Sequence, residues 1–289
     1  MKPFKLAGAI PALALVGVLG IGTDVQASTL VVDRGLPDTN LNNAAGGDRS
    51  NVAWAFNGAF QTGDTFTLPS TGDSSRPSWS VDRLTSWFFV SGLGDPTDPN
   101  ADPQLSPSIN DISLFLGPDN GAGSSIDRVA NSTISGNAAN AANVDISKVT
   151  YAGGENYQVP NDNFIQLWQV DFTDLGKFSA GDYAFSVAGL PDDTLFFNHA
   201  SNAALGGVPA DGADDLYAFF RGTGADSSLE LGGFFDSDSN NEGGFGWDKS
   251  SDINVQVYAT PVPLPAAGWL LLSAFGGLGL VARRRRKAA

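Results

Sequence analysis

Residues 181–188, Gly-Asp-Tyr-Ala-Phe-Ser-Val-Ala, carry the clearest folding signal in the chain. After the Gly-Asp turn, the large side chains of Tyr183, Phe185 and Val187 alternate with small ones. A period of two is that of a β-strand, because successive side chains of a strand point to opposite faces. Residues 253–258 repeat the alternation with apolar and polar side chains. Both segments therefore predict strands with one buried face.

Other segments predict turns and short strands over most of the chain. The 35 glycines and 16 prolines indicate frequent turns. Ala138–Ala142 is rich in alanine, but Asn140 and Asn143 interrupt it, and we find no amphipathic helix of three turns. Further short apolar and aromatic runs predict strands at Val52–Phe60, Thr65–Leu68, Ser86–Ser91, Ile112–Leu116, Phe164–Phe172, Leu216–Arg221 and Ser228–Phe235.

These short, irregularly spaced strands favour one architecture. We expect an all-β domain over residues 28–260, folded as an antiparallel, jelly-roll-like β-sandwich of eight to twelve strands. No fixed repeat is present, so a solenoid or a propeller is not expected. The proline-rich stretch Gly94–Pro107 is predicted to be a long surface loop of a single lobe, or else a linker between two lobes. The stretch Ala259–Leu264 is predicted to be a stalk that leaves the last strand.

The last residues of the chain form a three-part tail, at 261–289. The motif Val262-Pro263-Leu264-Pro265-Ala266 precedes an apolar run at 266–282, and Arg283-Arg284-Arg285-Arg286-Lys287 follows it. As a helix this run spans about 26 Å, which is the short end of what crosses a bilayer core. The cationic cluster resists translocation and stays cytoplasmic. The tail therefore predicts one transmembrane helix with a stop-transfer signal, which a buried core helix would not explain.

This combination resembles the PEP-CTERM type of protein-sorting signal of Gram-negative bacteria, in its VPLPA variant. Leu264 stands where the commoner form of the motif has Glu. The resemblance implies cleavage near the motif by an exosortase, a membrane transpeptidase-like enzyme, here of a variant kind. It also implies delivery to a surface or matrix rich in exopolysaccharide. It covers the tail alone and implies nothing direct about the domain before it.

The N-terminus predicts export as well. Lys2 and Lys5 form a positive region, Leu6–Gly22 is apolar, and Val25-Gln26-Ala27 resembles a signal-peptidase site. Residues 1–27 are thus predicted to be a signal peptide for the Sec machinery, cleaved between Ala27 and Ser28. An uncleaved N-terminal anchor is the alternative.

Charge and cysteine content limit the functions of the exported domain. Of the 16 Lys and Arg residues, seven lie in the terminal segments 1–27 and 261–289, whereas only one of the 31 acids, Asp24, does so. Nine cations against 30 acids leave the domain near −21, which disfavours nucleic acid as a partner. Because the chain has no cysteine, disulfides and zinc-thiolate sites are excluded.

One acidic segment is a candidate calcium loop. Asp236, Asp238, Asn240 and Glu242 place oxygen ligands at alternate positions, as Ca²⁺ coordination needs. The segment is not an EF-hand, because Asn241 occupies the position that requires Gly. The alternative interpretation is a solvated hairpin turn. Ca²⁺ is the one cofactor that the sequence offers.

Tryptophan side chains could stack on sugar rings. Trp79 and Trp247 lie in polar or glycine-rich contexts and are the candidates for glycan stacking. Trp54, Trp87 and Trp168 lie within strand patterns and are expected in the core. His199, the one histidine, is expected in a surface loop, and no nucleophile elbow or P-loop accompanies it.

Four functions remain open from the sequence, and one of them is a permanently anchored periplasmic protein that is never cleaved. The first is a non-enzymatic, exported protein that is anchored in the inner membrane, cleaved by an exosortase-like enzyme, and released to the cell surface or the exopolysaccharide matrix. The second is a module that binds carbohydrate, with or without Ca²⁺. The third, a secreted hydrolase, is disfavoured by the missing catalytic motifs. No catalytic residue is assigned.

Overall fold

The computed structural model describes thirteen segments of the chain: 27–36, 52–56, 60–90, 109–135, 138–139, 143–149, 157–159, 163–165, 167–191, 196–201, 216–222, 228–236 and 252–264. These residues form β-strands and the turns between them, and they contain no helix. The class predicted from the sequence, all-β with antiparallel pairing, is confirmed.

The strands fall into two large sheets and one small pair. In chain order they are β1 (Thr29–Asp33), β2 (Val52–Phe56), β3 (Phe60–Leu68), β4 (Ser78–Val90), β5 (Ile109–Pro118), β6 (Ser125–Ser135), β7 (Ala138–Ala139), β8 (Val144–Val149), β9 (Tyr157–Val159), β10 (Asn163–Ile165), β11 (Leu167–Ser179), β12 (Gly181–Pro191), β13 (Phe196–Ser201), β14 (Leu216–Gly222), β15 (Ser228–Asp236), β16 (Asp252–Ile253) and β17 (Val255–Val262). Strands β9 and β10 pair with each other.

The first large sheet, sheet A, is open. Its order is β1-β17-β4-β11-β8, and β13 joins it with β2 and β16. β17 lies opposite residues 78–86 of β4, whereas β13 lies opposite residues 88–90. The two strands therefore follow one another along the same side of β4.

The second large sheet closes into a ring. Its order is β15-β14-β3-β12-β5-β6, and β6 also pairs with β15, Leu229 lying opposite Ile126. A six-stranded antiparallel barrel results, which β7 extends from β6. The predicted jelly-roll-like sandwich is not confirmed, because a sandwich keeps both of its sheets open.

Two cores follow from the alternation along the strands. On β12, the side chains of Tyr183, Phe185 and Val187 face sheet A and join the larger core there. Ala184 and Ala188 point the other way, into the ring. The core inside the ring consists of Phe115, Ile126, Ala184, Ala188, Ala218, Phe220, Leu229 and Leu231.

Small residues make room inside this narrow ring. A six-stranded barrel has little interior space, so the rings of Phe115 and Phe220 need small neighbours. Gly63 of β3 is one of them, because a Cβ atom there would lie 1.8 Å from the carbonyl oxygen of Phe185 and 2.7 Å from the ring of Phe220. β3 runs without a break through Gly63, where the sequence pattern placed an interruption, because residues 60–68 pair with β14 and β12.

Several strands were missed by the sequence analysis. The strands β1, β6, β8, β13 and the first half of β4 were not predicted, although β8 and β4 carry apolar residues at alternate positions. The predicted stalk is wrong for Ala259–Val262, since β17 continues through Val262 as a strand of sheet A. The predicted domain end at residue 260 therefore falls inside a strand. The stretch Gly94–Pro107 lies outside the described residues.

Candidate functional site

The two predicted cleavage sites lie at the same end of sheet A. β1 begins at Thr29, directly after the predicted signal-peptide cleavage site, and it runs antiparallel to β17 with Thr29 opposite Ala259. β17 continues from there to Val262, the first residue of the predicted sorting motif. Because the strands are antiparallel, the start of one lies beside the end of the other.

The first residues of the predicted sorting motif are held by the domain. Val262 lies opposite Ser78 in the ladder between β17 and β4. The backbone N–H of Leu264 donates a hydrogen bond to the carbonyl oxygen of Ser75, with 2.7 Å between the two atoms. The side chain of Leu264 is 43% exposed, so the contact is made by the backbone.

The turn that carries Ser75 is internally ordered. One carboxylate oxygen of Asp73 accepts the backbone N–H of Ser75 at 2.8 Å and its hydroxyl at 2.6 Å. The N–H of Arg76 donates to the carbonyl oxygen of Asp73 at 2.9 Å. The hydrogen bonds from Ser75 lower the pKa of Asp73 below its ordinary value. These hydrogen bonds therefore fix the direction of the Ser75 carbonyl group, which accepts the N–H of Leu264.

Trp79 lies beneath this turn and is not available to a sugar. Its side chain is only 6% exposed, and its indole N–H donates to the carbonyl oxygen of Pro69 at 2.7 Å. The selection of Trp79 as a stacking residue is therefore wrong, because its ring belongs to the core that faces sheet A. Trp87 and Trp168 are buried as predicted. The side chains of Trp54 and Trp247 lie outside the described residues.

The candidate calcium loop begins where β15 ends. Asp236 is the last residue of that strand, and the backbone pairs it with Leu216 of β14. Asp238, Asn240 and Glu242 lie outside the described residues, so the calcium prediction stays a prediction. Among the residues that the structure does describe, no group of three or more His, Asp or Glu side chains could hold a metal ion.

A buried ionic cluster links segments beside the first and last strands of sheet A to the barrel. Nη1 of Arg34, just after β1, lies 2.6 Å from Oδ2 of Asp64 in β3 and 3.4 Å from Oδ1 of Asp252 in β16. The three side chains are at most 1% exposed. The guanidinium also donates to the carbonyl oxygens of Ile253 and Thr65. Sequence analysis did not single out these residues, because they are far apart in the chain.

The Asp64 carboxylate has a donor at each oxygen. Oδ2 accepts the backbone N–H of Ile253 at 2.5 Å, and Oδ1 accepts that of Thr65 at 2.6 Å. Burial nevertheless raises the pKa of Asp64 well above its ordinary value of 3.8, and the Arg34 guanidinium opposes the rise. The neighbouring carboxylate of Asp252 adds to it. Desolvation is thus the dominant influence on this group.

His199 lies in the interior rather than in a surface loop. It belongs to β13, its side chain is 1% exposed, and its carbonyl oxygen accepts the N–H of Asn254 at 2.8 Å. The expectation of a surface histidine is therefore wrong. The cause is the pairing of β13 with β2, β4 and β16, which no local pattern around His199 indicates. An imidazole at this depth does not reach an external substrate while the strands stay paired.

The outer face of sheet A carries a row of ordered polar side chains. On β17, Gln256 and Tyr258 point away from the core, and the hydroxyl of Tyr258 donates to Oε1 of Gln256 at 3.1 Å. The guanidinium carbon of Arg83 lies 4.0 Å from the centre of the Tyr258 ring. On neighbouring strands, Thr85 donates to Asp171 at 2.5 Å. Of these side chains, Gln256 is 5% exposed and Thr85 is 2% exposed, whereas Arg83, Tyr258 and Asp171 are partly exposed.

Comparison with known proteins leaves the family of this chain open. No protein family matches the sequence, and neither a curated protein nor a solved structure does. The described residues contain no helix long and apolar enough to cross a membrane. The predicted signal peptide up to residue 26, the predicted transmembrane helix at 266–282 and the basic cluster Arg283–Lys287 lie outside them.

Proposed function

We propose that this protein is a non-enzymatic, exported β-domain that reaches the cell surface or the exopolysaccharide matrix of a Gram-negative bacterium. In this proposal the Sec machinery exports the chain and the helix at 266–282 holds it in the inner membrane. An exosortase-like enzyme then cleaves near Val262–Ala266. The mature product keeps the domain and loses the tail.

The position of both ends of the domain at one end of sheet A supports this proposal best. Thr29 pairs with Ala259, so a chain that is still attached at both ends meets the membrane with one end of sheet A. In the folded domain no other strand lies between β1 and β17. Both cleavage sites therefore face the membrane enzymes together. A domain whose ends emerged on opposite sides would need long linkers to reach the same bilayer.

The composition supports export in a second way. A domain near −21 with no cysteine needs no oxidative folding and repels anionic surfaces. Its stability comes from the two apolar cores and the buried ionic cluster. Such a domain suits an external matrix, where solubility and resistance to reduction are both useful.

The mass of the mature protein tests the proposal. We expect protein recovered from the cell surface or medium of the native host to begin near Ser28 and to end within Pro263–Ala266. Replacing Pro263 and Pro265 together by alanine should leave the uncut chain in the membrane, whereas Pro261→Ala, outside the motif, should not. Surface protein that still ends at Ala289 would contradict the proposal.

A second candidate function is the binding of a neutral polysaccharide on the outer face of sheet A. The observation that favours it is the group formed by Arg83, Tyr258 and Asp171, which are partly exposed, so that guanidinium and carboxylate groups lie near an aromatic ring. Sugar hydroxyls need such donors and acceptors at close spacing. This site replaces the stacking by Trp79 that the sequence suggested.

Affinity electrophoresis in gels that contain the host's exopolysaccharide tests this second function. Retardation that is lost in Tyr258→Ala and kept in Asp119→Ala would support binding by this face. EDTA separates a calcium-dependent site from one that needs no metal, and Trp247→Ala tests the remaining stacking candidate. Equal mobility of all variants with and without the polysaccharide would remove the candidate.

A further inference from the structure

Alternating prolines restrict the backbone donors at the start of the sorting motif. Residues 261–265 read Pro-Val-Pro-Leu-Pro, and proline has no backbone N–H. Val262 and Leu264 are therefore the only residues of this segment that can donate a backbone hydrogen bond. In an extended chain their N–H groups point to the same side, since successive N–H groups point to opposite sides.

Both donors lie on the side of the domain. Val262 is opposite Ser78 of β4, and Leu264 donates to the carbonyl oxygen of Ser75. The edge of the segment that carries the prolines faces away from β4. It lies on the side where β1 pairs with β17 farther along the sheet. Within the described residues β1 begins at Thr29, opposite Ala259, so it does not extend beside this segment. Prolines on an open edge discourage the addition of another strand.

A cut before Leu264 would damage the sheet. β17 lies between β1 and β4 and contributes Val255, Val257 and Ala259 to the core, each of them fully buried. An enzyme that needs an extended substrate would have to pull these residues away from both neighbours. The ladder between β17 and β4 ends at Val262, so cleavage after Leu264 needs no such opening.

We propose that the turn at residues 69–77 and the end of β17 form a docking element for the sorting motif, which holds the chain through Leu264 and confines cleavage to bonds that follow it. The inference rests on the proposed function, because it names where the same processing enzyme cuts. Ser75 is the positioning residue through its carbonyl oxygen, and Asp73 orients Ser75. The partner is a membrane-bound peptidase that receives an extended, proline-containing segment starting at Pro265.

Two pairs of variants test the docking element in the full-length chain, expressed in its native host. Leu264→Pro removes the donor, whereas Leu264→Ala keeps it. Asp73→Ala removes the acceptor that orients Ser75, whereas Asp73→Asn keeps an acceptor oxygen, and both leave the motif intact. We expect the wild type, Leu264→Ala and Asp73→Asn to end at Leu264 or later. In Leu264→Pro and Asp73→Ala, the fraction of chains that end before Leu264 should rise about fivefold. Loss of one backbone hydrogen bond typically changes a population by about this factor.

The C-terminal peptide mass separates the possible failures. Wild-type surface protein that ends at Pro263 or earlier would overturn the docking element and leave the proposed function standing. Protein that ends only at Ala289 would overturn both. Amide hydrogen exchange of the intact chain adds a readout that does not need the enzyme, because residues 261–265 contribute only two exchanging amides. Slow exchange at Leu264 that becomes fast in Asp73→Ala supports the docking element, and exchange at Leu264 as fast as in a free peptide overturns it.

Discussion

Arg34 and Asp64 form an ion pair that is closed off from water, with Nη1 and Oδ2 2.6 Å apart and both side chains at most 1% exposed. Arg34 follows the first strand of sheet A, and Asp64 lies on the barrel. The pair therefore joins the N-terminal end of the domain to the barrel across the larger core. Asp252, 3.4 Å from the same nitrogen, brings in the segment that precedes the last strand.

Removal of Arg34 should be costly. We expect Arg34→Met to lower the free energy of unfolding by about 3–5 kcal/mol, because a buried carboxylate would lose its counterion. Urea unfolding of the mature protein, followed by tryptophan fluorescence, measures the loss. Arg76→Met is the matched control, since Arg76 and Asp73 are partly exposed and 3.7 Å apart, and it should cost less than about 1 kcal/mol. Equal losses in both variants would contradict this assignment.

The buried carboxyl of Asp64 should make stability depend on pH. Burial raises the pKa of Asp64 above 3.8 in the folded state, so folding favours its protonated form. Its stabilising contribution is present below pH 3.8 and is lost as the pH rises through the higher folded value. We therefore expect the free energy of unfolding to fall over this window on raising the pH, and to fall less steeply in Asp64→Asn.

Gly63 should not tolerate a methyl group. The Cβ atom of Gly63→Ala would lie 1.8 Å from the carbonyl oxygen of Phe185, a backbone atom that cannot turn aside. We expect destabilisation of about 3 kcal/mol or more, at or beyond the upper end for overpacked cores. Gly222→Ala has open space around the new atom and should change the free energy of unfolding by less than about 0.5 kcal/mol. Thermal unfolding followed by circular dichroism compares the two.

Phe220 should be a principal support of the barrel interior. Its side chain is fully buried among the residues inside the ring. Phe220→Ala would leave a cavity and should cost about 3–5 kcal/mol in unfolding free energy. Phe234 belongs to the neighbouring strand and is 38% exposed, so Phe234→Ala should cost far less. A small effect of Phe220→Ala would show that the ring interior collapses around the missing side chain.

The strand class could be predicted because its signal is local. In residues 183–188 the alternation of large and small side chains is enough to assign a strand. It was not enough to assign the faces, because small residues suit either a solvent face or a crowded interior. Closure of the ring decides that Ala184 and Ala188 are inside.

Strands with polar sequences could not be found in the same way. Ser125–Ser135 contains few apolar residues, yet it pairs with β5 on one side and β15 on the other and closes the barrel. His199 was misplaced for a similar reason, since its burial comes from strands far away in the chain. Trp79 was misplaced because its polar neighbours in the sequence point to the outer face and to the turn.

The sequence by itself determined the all-β class and predicted the export signals, because side-chain alternation, apolar runs and charge clusters are properties of consecutive residues. It also predicted a sorting motif at 262–266, of which the structure includes Val262 in the last strand. Only the tertiary structure decided the closed ring, the burial of Arg34 with Asp64 and Asp252, and the contact between Leu264 and Ser75. Each of these joins residues that are distant in the chain, and their meeting depends on the pairing of strands and on the exclusion of water from the two cores.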